Sequence, residues 1–403
     1  MSPSPLDLPV DHPYGPHHLP YGAVGRDDGE PWVAVRLGDH ALDLASAAQG
    51  TPWAAALSGP VLNPFLDLGP HAWGGLRAWL QEQLLDEQGR ARLEPHLHPL
   101  EELVTHLPVA VADYVDFYAG EHHATNVGLI LRPVGEPLTP NWKHLPIGYH
   151  GRSSTVVVSG TDVVRPRGQR RGKEDPAPVF GPSVRLDIEA ELAFVVGGGT
   201  SLGTSVTVDD ATGHLFGVAL FNDWSARDVQ AWEYVPLGPF LGKSFASSMA
   251  AWITPLPALE QARVPLPPQD PEPLPYLRGR ADSLFGLDLT MEVRLNGTLL
   301  ARPPYRAMYW SPTQMLAHLT VNGARLTSGD VFASGTVSGA GPQERGSLLE
   351  LTWNGTEPVT LDDGSTRTFL EDGDTVTITA TAPGPSGSLL QLAEVTGTVL
   401  PAP

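Results

Sequence analysis

Short runs of alternating apolar and polar residues, cut off every few positions by glycine or proline, extend along the chain and leave little room for long helices. With 43 glycines and 41 prolines among 403 residues, the expected class is mainly β with a few helices, an α+β arrangement. That length and a hydrophobic content of 41% allow a large core and suggest two or three domains.

The first hundred or so residues read as a small module. Trp32-Val-Ala-Val35 and Leu42-Asp-Leu44 form a strand pair around Gly38-Asp39, and Leu76, Trp79, Leu80 and Leu84 lie at helical spacing. A short helical stretch is expected over 100–104 after Pro99, and Leu107-Pro108 makes the boundary between units at 1–108 and 109–403. Beyond it, residues 186–196 alternate, with Leu186, Ile188, Ala190, Leu192 and Phe194 opposite Asp187, Glu189 and Glu191, a half-buried strand with an acidic face. A second alternating strand, 287–295, ends at the hairpin signal Asn296-Gly297. Ser311-Pro312 with Gln314 reads as a capped helix start, and strands are expected over 347–353 and 375–380. Arg165, Arg167, Arg170, Arg171 and Lys173 read as a solvated basic loop.

The formal charge of -20 disfavours a nucleic-acid partner. The absence of cysteine removes disulfides, thiolate metal sites and thiol nucleophiles, so any metal must be held by oxygen or imidazole. The opening Met-Ser-Pro-Ser-Pro lacks the blocks of a signal peptide and no run is long enough for a bilayer, so the expectation is a cytoplasmic protein without a membrane partner.

Several residues suit chemistry. Glu189 and Glu191, two apart on a strand, can converge on one cation, although an exposed strand face is the commoner meaning of such a pair. Residues 215–221 are a continuous apolar run expected of a strand buried on both faces. Asp223 is then expected to cap a short helix whose one face carries Asp223, Arg227, Gln230 and Tyr234. Lys243 follows in a glycine-containing loop that lacks phosphate-loop spacing. His122 and His123 stand in what reads as a loop, where adjacent histidines point apart.

Ordered blocks carry a more specific signal. Asp113-Tyr-Val-Asp-Phe-Tyr118, His123-Ala-Thr-Asn-Val-Gly128, Leu145-Pro-Ile-Gly-Tyr-His-Gly-Arg152, Asn222-Asp-Trp-Ser-Ala-Arg-Asp228, the block from Trp232 to Phe245 and Ala333-Ser-Gly-Thr336 resemble the fumarylacetoacetase family. The resemblance implies a small N-terminal SH3-like module followed by a β-roll catalytic domain, a homodimer, and hydrolysis of a carbon–carbon bond in a small diketo acid. It also implies metal ligands Asp116, Glu189, Glu191 and Asp223, for which four oxygen donors suit Ca²⁺ or Mg²⁺. A second light-metal position near Asp223, Lys243 and Ser247 is implied as well, with serine here where the family pattern has threonine. By the same matching, His123 is the general base with Glu350 as its carboxylate partner, Arg227, Gln230 and Lys243 stabilise an oxyanion, and Tyr118, Arg132, Tyr149, Gln230, Tyr234 and Thr336 contact substrate. Related acylpyruvate hydrolases, decarboxylases and isomerases, or a non-catalytic binding protein, are the competing expectations.

Overall fold

In the computed structural model, which describes residues 4–9, 11–27, 29–172 and 176–403, strand Tyr21–Gly25 ties the first hundred residues to the rest. It pairs antiparallel with Trp32–Leu37 and with Val104–His106, and in the other direction with Trp252–Pro255. From there one sheet continues through Leu215–Asp223, Ala190–Val196, Val331–Ala333 and Tyr114–Phe117 to Gly148–His150. Gly22 permits the join, because a Cβ there would lie 2.5 Å from the Trp252 ring and 2.9 Å from the Ala251 carbonyl.

The fold is mainly β with helices, as expected, and begins with a small β module. Its hairpin between Trp32–Leu37 and His40–Asp43 turns at Gly38, which adopts φ +55°. Helix Pro70–Leu85 buries Trp73, Leu76, Leu80 and Leu84 against the common core. Among the described residues no helix is long and apolar enough to cross a membrane. Residues 100–102 form only a 3₁₀ turn, and Val104 has already joined a strand, whose ladder to Ala23–Gly25 outweighs the local helical preference.

A second sheet runs from Thr298–Ala301 through Thr290–Leu295, Thr375–Pro383 and Leu389–Leu400 to Val163–Val164. The Asn296-Gly297 turn and the Ser311–Gln314 capping box form as the sequence predicts. The basic stretch does not form the solvated loop expected. Arg167–Arg170 is a strand paired with Val179–Pro182, while Arg165 is buried, with Nε 2.6 Å from Asp372 and Nη1 and Nη2 on the Ser183 and Leu370 carbonyls. Lys173 lies outside the described residues.

Residues 347–353 are also not a strand. Leu348–Leu351 is a helical turn with Ser347 as N-cap. The Asp187 carboxylate accepts from the N–H groups of Leu348 and Leu349 at 2.7 and 3.0 Å, satisfying donors that a helix start leaves free. Positive φ at Trp353 and Asn354 then ends the turn.

Candidate active site

Neighbouring strands deliver the acidic residues to one place. Asp116 stands opposite Ala333, Glu191 opposite Phe221, and Asp223 opposite Ser247 in three adjoining ladders. Glu189 precedes strand Ala190–Val196, where its N–H donates to Asn222 Oδ1. One carboxylate oxygen from each of Asp116, Glu189, Glu191 and Asp223 lies within 4.8 Å of the others. The expected half-buried strand is therefore buried on both faces, and its acidic side lines this cluster rather than solvent.

Asp223 does not cap a helix. It ends strand Leu215–Asp223, Ser225–Ala226 pairs with Leu186–Asp187, and the helix starts only at Arg227. Asp223 and Arg227 consequently meet through their partners instead of along one helical face. Lys243 Nζ lies 2.6 Å from Asp223 Oδ2 and is also paired with Glu189 Oε2. Arg227 Nη1 lies 2.8 Å from Glu189 Oε1 and 3.3 Å from Gln230 Oε1, and its Nε is 2.7 Å from Asp187 Oδ2. Tyr149 donates to Asp223 Oδ2 at 2.8 Å, and Ser247 donates to Oδ1 at 2.7 Å.

These contacts divide the carboxylates into two kinds. Burial opposes ionisation of Glu189, yet the Lys243 and Arg227 charges outweigh it and hold the carboxyl below its usual range. Burial and then the adjacent Asp223 push Asp116 well above that range, and burial and then Asp116 do the same to Glu191. Both oxygens of Glu191 and Oδ1 of Asp116 are buried without a hydrogen-bond partner among the described residues. A cation bound by one oxygen from each carboxylate would give both side chains a partner. The donor set is oxygen throughout, which fits a hard metal ion and gives no purchase to a thiophilic one.

Beside the cluster, helix Glu121–Leu131 carries the two histidines that the sequence placed in a loop. His123 is buried and His122 faces partly outward. His123 Nδ1 is 2.6 Å from Glu350 Oε2, and Nε2 is 3.8 Å from Glu189 Oε1. Glu350 also accepts from Asn126 Nδ2 at 2.8 Å, Ser338 Oγ at 3.0 Å and Ser347 Oγ at 2.8 Å. Burial alone would raise the Glu350 carboxyl, but His123 and these donors hold it below its usual value. An ionised Glu350 on Nδ1 fixes the tautomer that leaves Nε2 free to take a proton.

Asn126, Ser338, Ser347 and Asp187 were not singled out by sequence. Asn126 had a usable signal, since it lies one helical turn from His123 and on the same face.

The remaining expected contacts divide. Tyr118 packs edge-on to the His123 ring at a centroid separation of 5.3 Å. Thr336 Oγ1 and Arg227 Nη2 are buried donors without a protein partner among the described residues. Arg132 stands exposed at the end of its helix, with Nη2 on the Pro137 carbonyl at 2.8 Å, although its charge reaches the Tyr118 phenol. Tyr234 is exposed on the segment that follows helix Arg227–Glu233.

Comparisons with known proteins give family matches along most of the chain. Residues 114–399 match the Fumarylacetoacetate (FAA) hydrolase C-terminal family, and residues 17–108 match the Fumarylacetoacetase N-terminal family. The chain is 43% identical to the fumarylacetoacetase of Homo sapiens, covering 98% of each chain. It is 42% identical to that of Arabidopsis thaliana, covering 99% of this chain and 98% of the relative. A fumarylacetoacetate hydrolase from Exiguobacterium antarcticum superposes with a TM-score of 0.57 at 16% identity, over 95% of this chain and 99% of that one, which supports the fold.

Proposed function

The chain belongs to the fumarylacetoacetase family, and from that premise we propose that it hydrolyses 4-fumarylacetoacetate to fumarate and acetoacetate, the last step of tyrosine and phenylalanine breakdown. The observation that carries this reading is the His123–Glu350 pair, 2.6 Å apart, placed beside a cluster of four buried carboxylates. A cation-binding protein without hydrolytic chemistry has no need of a buried base with an oriented tautomer.

In this reading Asp116, Glu189, Glu191 and Asp223 hold Ca²⁺ or Mg²⁺, and the second light-metal position lies beside Asp223, Lys243 and Ser247. When bound, the ion polarises the diketo oxygens as a Lewis acid. His123 Nε2 takes a proton from water as the water oxygen bonds to the fumaryl ketone carbon, the one that becomes a carboxylate of fumarate. Arg227, through its unpartnered Nη2, stabilises the oxyanion together with Lys243, and Gln230 positions the Arg227 guanidinium. The carbon–carbon bond then breaks, its electron pair leaves as an enolate, and a proton delivered from His123 completes acetoacetate. Tyr118, Tyr149, Thr336 and Gln230 line the substrate, while Arg132 and the exposed Tyr234 reach it from the mouth of the site.

Family membership also supports a homodimer and a cytoplasmic setting. Leu237, Phe240 and Val235 expose apolar surface that a second copy can cover. The deciding experiment is turnover of fumarylacetoacetate in ¹⁸O-labelled water. Fumarate labelled in one carboxyl group, with acetoacetate in equal amount, is the expected result. Unlabelled fumarate after correction for exchange, or carbon dioxide released in proportion to turnover, would overturn it.

A further inference from the structure

A cavity of about 320 Å³ opens where helix Pro70–Leu85 meets the start of strand Leu215–Asp223 and the chain after Trp252–Pro255. Trp73, Phe216 and Tyr21 give it aromatic walls, with Trp73 and Phe216 edge-to-face at 5.4 Å and Tyr21 and Phe216 at 5.2 Å. None of these residues belongs to the acidic site.

Two polar groups in the lining lack the partners their burial calls for. Tyr21 is 1% exposed, and its hydroxyl has no hydrogen-bond partner among the described residues. Burial pushes the phenol up to about 12, so the hydroxyl keeps its proton at neutral pH and can donate a hydrogen bond. Arg77 is 9% exposed and donates to the carbonyls of His18, at 2.7 Å, and His17. No carboxylate pairs with it among the described residues, although the chain carries a formal charge of -20. Burial pulls its pKa down and only the Tyr21 phenol acts the other way. The one acid in the lining, Glu260, is 3.0 Å from Arg263 and largely exposed. A buried guanidinium without a counter-charge is costly, as is a buried hydroxyl without an acceptor.

We propose that this cavity is a binding site for a small monocyclic aromatic carboxylate, its ring against Trp73 and Phe216 and its carboxylate accepting from the Tyr21 hydroxyl and the Arg77 guanidinium. One such ligand supplies the missing acceptor and the missing negative charge together. The volume suits a single substituted ring.

Benzoate titrated calorimetrically into the metal-loaded full chain tests the site. Saturable binding is expected, and benzyl alcohol, which keeps the ring and loses the charge, should bind at least roughly tenfold more weakly. Tyr21→Phe should weaken benzoate by a similar factor. Arg77→Met removes the charge but also the tie to His17 and His18, so Gly74→Leu serves as the second variant. Gly74 is exposed at the rim of the lining, and a Cβ added there meets no atom within 4 Å, so a leucine is accommodated beside the cavity mouth without displacing a neighbour. Gly74→Leu should abolish benzoate binding and leave turnover at its original value, with a melting temperature at or above the original because leucine is the better helix former. Benzoate binding unchanged in Gly74→Leu, equal affinity for benzyl alcohol, or no heat of binding from folded protein would each overturn the proposal.

Discussion

Oδ2 of Asp187 lies 2.7 Å from Nε of Arg227, and the same carboxylate caps the helical turn that carries Glu350. One buried side chain thus fixes both the guanidinium beside the acidic cluster and the carboxylate behind His123. Burial holds the Asp187 carboxyl above its usual range, and Arg227 with the Leu349 and Ile188 N–H groups limits that rise. Asp187→Asn replaces one acceptor oxygen with a donor that opposes Arg227 Nε. Breaking such a pair costs about 3–5 kcal/mol of stability. Turnover should fall roughly 10–100-fold, as for other residues that orient a reactive group. A variant that melts lower yet retains full kcat would show that Asp187 acts on stability alone.

Much of this site was legible in local pattern. Alternation over 186–196 brought out Glu189 and Glu191, and the apolar run over 215–221 led to Asp223. Other features depended on distant partners. The turn at Leu348–Leu351 takes part of its cap from Asp187, 161 residues earlier, so an apolar window read by itself favours a strand. A local signal was still present, because Ser347 and Glu350 stand at capping-box spacing. Asp187 looked like a solvated position because alternation reports which residues share a face and not whether a second layer covers it. Its importance rests on Arg227, Leu348 and Leu349 arriving from other parts of the chain.

The unpaired carboxylates give the cation effect a diagnostic sign. Without an ion, burial and then Asp116 oppose ionisation of Glu191, a cost to folding at neutral pH that glutamine does not carry, so Glu191→Gln should raise the melting temperature of metal-free protein. The same change removes a ligand and should lower the melting temperature under saturating Ca²⁺ or Mg²⁺. A ligand at a thousand times its Kd stabilises by about 4 kcal/mol, enough to resolve this crossing by calorimetry. Chelator-treated protein should lose turnover and regain it with either ion. Full activity in samples shown by elemental analysis to be metal-free would defeat the assignment.

Asp330 supplies a pH dependence outside the acidic site. Burial, with the Asp113 carboxylate adding to it, raises its pKa from the ordinary 3.8 to about 6, while Oδ1 has no partner and Oδ2 accepts from Thr327 N at 2.7 Å. Below the unfolded value both states hold the proton and nothing is lost. As pH rises toward 6 the unfolded chain releases its proton first, so stability falls, and above 6 the penalty is constant. The full penalty is at most about 3 kcal/mol. Asp330→Asn should therefore melt higher than the original protein at pH ~8, with the difference vanishing near pH ~4. A difference that does not change across that range would exclude this titration.

The contact between His123 and Glu350 makes the sharpest prediction about catalysis. Glu350 accepts from His123, Asn126, Ser338 and Ser347, so Glu350→Gln removes its charge and sets one amide nitrogen against a group that now donates to the carboxylate, either His123 Nδ1 or Asn126 Nδ2. The imidazole loses both its tautomer control and the charge that stabilises its protonated form. His123→Ala removes the base itself, and a loss of about 10²–10⁴-fold in kcat is expected. If Glu350 acts on the reaction only through His123, it has nothing left to orient once the ring is gone. The double variant should then be little slower than His123→Ala, although the single losses multiplied together would be far larger. Rates measured with protein shown by circular dichroism to be folded, and at matched metal content, separate this from loss of structure. Losses that multiply in full would mean that Glu350 serves the reaction independently of His123, and the dyad would have to be abandoned.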